Sequence, residues 1–154
     1  MPKWLIRSGT QAVLQLLAFV ARRPRLAAVS DFLTRSLARL TVRAKGIGTT
    51  REISQLGASW QRSFPAKKQV PIESVSGNTV IARIHTRCPL RGSGDVHACH
   101  RMMEFDREVA RLAGGQFVVL ESQATPGVES CRVALRLQGE SVEDLVPAHE
   151  RTPG

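Results

Sequence analysis

A chain of 154 residues that is 42% hydrophobic holds enough apolar side chains for one domain with a core plus an appendage, which excludes a globally disordered polypeptide. The net charge of +9 is uneven: residues 1–50 carry nine Lys/Arg against the single acid Asp31, while residues 51–154 come to only +1, so a polyanion would meet the N-terminal third. Three cysteines, an odd and low number, suit a reducing compartment better than a disulfide framework, and no uncharged apolar run of about 18 residues offers a spanning helix.

From Lys3 to Arg22, the side chains Lys3, Arg7, Gln11, Gln15 and Arg22 fall on one helical stripe. Trp4, Leu5, Ile6, Val13, Leu14, Leu16, Leu17, Phe19 and Val20 make the rest of the surface broadly apolar. Lys3 and Arg7 ahead of Ala12–Ala21 have the outline of a signal peptide. Arg22-Arg23-Pro24-Arg25 stands where a small-residue cleavage site belongs, so the segment reads as retained and the chain as cytoplasmic. Pro24 ends the helix. A second helix is expected from about Ala27, with Val29, Phe32, Leu33, Leu37 and Leu40 on its apolar side and Arg35, Arg39 and Arg43 at i, i+4, i+8 on another. Lys45–Thr50 reads as a loop, and Ile53–Phe64 as a short helix stopped before Pro65.

After Pro71 the period changes. Ile72–Val75, the turn Ser76-Gly77-Asn78 and Thr79–Cys88 predict a β-hairpin, with Val80, Ala82, Ile84, Thr86 and Cys88 on one face and Arg83, His85 and Arg87 on the other. Ser93 or Asp95 can cap a helix running to about Ala113, and Gly114-Gly115 supplies its stop. Gln116–Gln123 and Ser130–Leu137 read as strands around the turn Thr125-Pro126-Gly127, with Cys131 facing inward. The expected fold class is α+β: N-terminal helices, then an antiparallel sheet of about four strands with one long helix inserted between strand pairs. Residues 1–50 form the basic amphipathic segment, 51–139 the cysteine-containing domain, and 140–154 an acidic turn and disordered tail.

The chemistry-bearing side chains concentrate after Pro89: His97, Cys99, His100, Met102, Met103, Asp106 and Arg107. Cys99, Met103 and Asp106 share an apolar stripe, so Asp106 needs a partner from elsewhere, with Arg87 or Arg83 as candidates. Cys88 at a strand end, Cys99 on the helix and Cys131 on an inward strand face can converge on a tetrahedral zinc, with His100 or Asp106 as fourth partner. Against this, each cysteine also reads as a small buried hydrophobe and the histidines as surface groups. Met103 and Arg87 are the candidate contacts for a small-molecule ligand. Val96-His97-Ala98-Cys99-His100 lacks the second cysteine of a c-type haem site.

Over residues 70–138, the layout Cys88-Pro89, Cys99, Asp106 and Gly127-x3-Cys131 resembles two kinds of small α+β domain. The 4-vinyl reductase type implies binding of small hydrophobic ligands and often of zinc through cysteines. The thiazoline-carboxylate hydrolase-like families imply a hydrolase acting on a small heterocyclic or amide substrate, with Cys99 or Cys88 as nucleophile and Asp106 beside it. The sequence departs from the first type at Gln123, where a further cysteine is usual eight residues before the last one.

The N-terminal third has three readings. An apolar helix face with Arg-rich flanks suits an anionic membrane surface, met through residues 1–45 and peripheral on the inner membrane. The same face can pack on the domain or on a second copy in a homodimer. Nucleic acid is disfavoured, because aromatics are 5% of the chain, Tyr is absent and no reading motif is present. The chain is thus expected to be a ligand- or metal-binding protein, alternatively a cysteine hydrolase, alternatively a non-catalytic accessory or assembly protein.

Overall fold

Helical periodicity at the start of the chain and strand periodicity after Pro71 produce the elements of an α+β fold. The computed structural model describes residues 3–151, with side chains from Gly9 onward apart from Thr10. Lys3, Trp4 and Arg7, at the start of the basic stripe, therefore lie outside the described side chains. Helix α1 (Lys3–Ala21) stops at Pro24, which opens a 3-10 turn, Pro24–Leu26, and α2 (Ala27–Ala44) follows. Then come α3 (Ile53–Arg62), β1 (Ile72–Ser76), β2 (Thr79–Ile84), α4 (Val96–Met102), α5 (Glu104–Leu112), β3 (Gly115–Glu121) and β4 (Cys131–Leu137). The four strands form one antiparallel sheet in the order β1-β2-β4-β3, so α4 and α5 are inserted between the two strand pairs.

The expected single helix between the strand pairs is broken at Met103, where ψ is 5°. Asp95 begins it: Ala98 N–H donates to Asp95 Oδ1 at 2.8 Å. Gly114, at φ +95°, ends it, and Gly115 already belongs to β3. The second hairpin strand also ends earlier than expected. It stops at Ile84, because the chain from Thr86 to Cys88 is bonded to a glutamine side chain rather than to a neighbouring strand.

The core face of the sheet carries Val80, Ala82 and Ile84 opposite Leu135, Val133 and Cys131, with Phe117 and Val119 on the next strand. Helices α3 and α5 cover this face, and α1 and α2 lie over α4 and α5. The buried apolar core is continuous from Ala18, Ala21, Ala38 and Val42 on the first two helices to the sheet. On the other sheet face Arg83 and Arg132 are cross-strand neighbours, and Glu73 bridges them, removing the like-charge penalty. Arg136 pairs with Asp144, fastening the acidic segment to the sheet rather than leaving it free.

The face of α2 that packs inward is Ser30, Thr34, Ala38 and Val42, which leaves the Leu/Phe side facing away from the protein. Small residues let α2 approach α5 closely, and that closeness brings Arg35 onto Glu104 at 2.7 Å and Arg39 onto Glu108 at 3.0 Å. Phe32, Leu33, Leu37 and Leu40 consequently point to solvent.

Candidate functional site

The three cysteines come from separated segments, all with free thiols and all buried. Cys99 lies in the first turns of α4, Cys131 opens β4, and Cys88 ends the segment after β2. Gln123, fully buried in the loop after β3, ties the Cys88 and Cys131 segments together. Its Nε2 donates to the carbonyls of Ile84 (3.1 Å) and Thr86 (3.0 Å), and its Oε1 accepts from Cys88 N–H at 3.2 Å. Its backbone N–H donates to Cys131 Sγ at 3.3 Å. Its own carbonyl accepts from Gly92 N–H at 2.8 Å, which ties down the glycine turn ahead of α4. Leu90 N–H donates to Cys88 Sγ at 3.4 Å.

The sulfurs differ in character. The dominant influence on the Cys99 thiol is hydrogen bonding from Cys131, with Ser122 also contributing. The bond from Cys131 holds the Cys99 thiol below its ordinary value against the opposing effect of burial, with Ser122 assisting. Cys131, as the donor of that bond and itself desolvated, is pushed well up. Burial raises the Cys88 thiol, partly countered by the Leu90 amide. Cys99 is therefore the sulfur of the three that most readily carries negative charge, and Cys131 is its neutral donor.

The other candidates do not join this cluster. Asp106 is buried, and its partner is neither Arg87 nor Arg83: Trp60 Nε1–H donates to Asp106 Oδ1 at 2.9 Å. Burial lifts this carboxyl to about 6, an effect the Trp60 bond only partly offsets. Arg83 is taken by Glu73 and Ser130, and Arg87 is exposed. Met103 is buried at the break between α4 and α5, as part of the core. His100 turns away from the cysteines. Its ring stacks on His149 at 3.8 Å between centroids, and Arg107 Nη2 donates to its carbonyl at 2.6 Å. Burial and the adjacent Arg107 lower it to about 4, so His100 is a neutral imidazole at neutral pH.

Two backbone N–H groups on cysteine sulfurs and an acidified third thiol are the surroundings that thiolate ligands need, so the donor chemistry fits a soft cation. The side-chain arrangement fits less well: among the described residues no group of three or more His, Cys, Asp or Glu is arranged to hold a metal ion as it stands. The residues that organise the cluster and were not expected to do so are Gln123, Ser122 and, for Asp106, Trp60.

Comparison with known proteins yields no matching family model, curated protein or solved structure. No helix among the described residues is long and apolar enough to cross a membrane.

Proposed function

We propose that this protein binds a thiophilic metal ion, zinc in the first instance, through Cys88, Cys99 and Cys131. The observation that carries the reading is that one buried glutamine bonds both the Cys88 and the Cys131 segments, with Cys99 acting on Cys131 from the neighbouring helix. Cys99 would enter as the readiest thiolate, and the Leu90 and Gln123 amides would support the charge on Cys88 and Cys131. With His100 and Asp106 committed elsewhere, the fourth position falls to water or to a small-molecule ligand, the pattern of an open rather than a closed zinc site. The bound ion would act there as a Lewis acid toward that ligand.

Purified protein is expected to carry near-stoichiometric zinc by elemental analysis, and Cys88→Ser, Cys99→Ser and Cys131→Ser are each expected to lose it. Folded wild-type protein that stays metal-free in the presence of added zinc contradicts the proposal.

The acidified Cys99 also favours a second reading, a hydrolase with Cys99 as nucleophile. Alkylation separates the two. Fast, single modification of Cys99 that a chelator does not alter supports the nucleophile, and protection of all three thiols that a chelator relieves supports metal.

A further inference from the structure

Ten large hydrophobic side chains are exposed among the described residues, and eight of them lie on α1 and α2. The most prominent are Leu16 at 60%, Phe19 at 53%, Phe32 at 70% and Leu40 at 66%, with Leu33 and Leu37 between them. Helix α2 rests on α4 and α5 through Ser30, Thr34, Ala38 and Val42, and α1 packs on α4 with Ala18, Ala21, Leu14 and Leu17 inward, so the remaining large apolar side chains of both face away from the protein. An apolar surface of this kind marks an interaction site.

Charge selects the occupant. Arg23 stacks over the Phe19 ring at 3.8 Å, which places a guanidinium at the edge of the apolar surface. Arg25 is exposed at the turn between the helices, and Arg43 is exposed on the second one. A second copy related by a two-fold axis would press these basic edges against their own kind. Nucleic acid could meet Arg23, Arg25 and Arg43 through its phosphates but would leave the exposed leucines and phenylalanines without a partner.

An anionic lipid leaflet satisfies both features at once: acyl chains for the apolar side chains and headgroup phosphates for the arginines, whose long stems reach outward. We infer that the outer surface of α1 and α2 is a docking face for anionic membrane, with both helices lying in the interface. This inference does not depend on the cysteine site, which lies in the core beneath these helices.

The test is flotation of full-length protein with vesicles of phosphatidylglycerol and phosphatidylcholine, compared with phosphatidylcholine alone. Binding is expected only to the anionic vesicles, and it should weaken as salt is raised. Arg23→Gln and Arg25→Gln should each weaken it about fivefold. The double variant Phe32→Glu/Leu40→Glu should abolish it with an unchanged circular dichroism spectrum, since both side chains are exposed. Cys131→Ser should float like wild type, which keeps this result separate from the metal reading. Equal flotation with both vesicle types overturns the charge argument. Absence of flotation overturns the inference, whether the protein is then monomeric or forms a concentration-dependent dimer that Phe32→Glu/Leu40→Glu dissolves.

Discussion

Asp106 shows how one side chain couples burial to pH. Among the described residues its one side-chain donor is the Trp60 indole and no ion pair reaches it, so desolvation dominates and lifts it from 3.8 to about 6. A raised folded-state value means that the folded protein takes up a proton the unfolded chain does not hold. The associated stability is complete below the unfolded value near 3.8, and it is lost as pH rises through about 6. At 1.36 kcal/mol per unit the whole effect is about 3 kcal/mol. Glu104 and Glu108 act in the opposite direction. Burial opposes the charge of Glu104, but the bonds from Arg35 and Arg107 outweigh it, and Arg111 together with Arg39 lowers Glu108. Their contribution is lost in acid. The informative quantity is therefore a difference: wild-type unfolding free energy minus that of Asp106→Asn should fall between pH 4 and pH 6 and be flat above pH 7. A flat difference across the range would show that Asp106 is not held in the apolar interior. The inward phase of Asp106 was legible from its place on a stripe with Cys99 and Met103. Its partner was not, because Trp60 is 46 residues away in sequence, and an indole N–H leaves no charge pattern to read.

Whole elements add constraints that a single residue does not reveal. Helix α3 seats on the sheet only because Gly115, the first residue of β3, has no side chain. A Cβ there would stand 2.4 Å from Leu56 Cδ2 and 2.8 Å from the carbonyl oxygen of Arg136. Leu56 is fully buried and the carbonyl belongs to a central strand, so neither has room to yield. Gly115→Ala is expected to cost roughly 1–3 kcal/mol in denaturant unfolding. Gly48→Ala, where nothing lies within 4 Å, serves as the control and should cost little. An equal, small cost at both positions would contradict the packing described. Element types were readable from the 3.6 and 2 periods, but the inward face of α2 was not. A helix with Phe and Leu on one side and Ser, Thr and Ala on another invites burial of the larger set. Here the buried side is chosen by complementarity with α5, where Glu104 and Glu108 need Arg35 and Arg39. The break at Met103 was equally hidden, since no Pro or Gly marks it in the sequence.

Across the whole molecule, charge and chemistry are segregated. The basic third contributes Ala18, Ala21, Ala38 and Val42 to the common core and turns its large apolar side chains outward. The near-neutral remainder builds the sheet and buries all three cysteines. The inward facing of Cys131 was legible from its strand phase, and the burial of Cys99 from its helix face. The role of Gln123 in bonding the Cys88 and Cys131 segments was not legible, because it rests on contacts between distant segments, and the stacking of His100 was hidden because its partner, His149, lies 49 positions further along the chain. Replacement of zinc by cobalt(II) gives the most direct measurement of the cluster's purpose, because thiolate-to-cobalt charge-transfer absorption grows with each sulfur bound. Wild-type protein titrated with cobalt(II) under reducing conditions should show the intensity of three thiolates at one equivalent, reduced in each single Cys→Ser variant. Folded protein that develops no charge-transfer band on titration would contradict the metal-binding account.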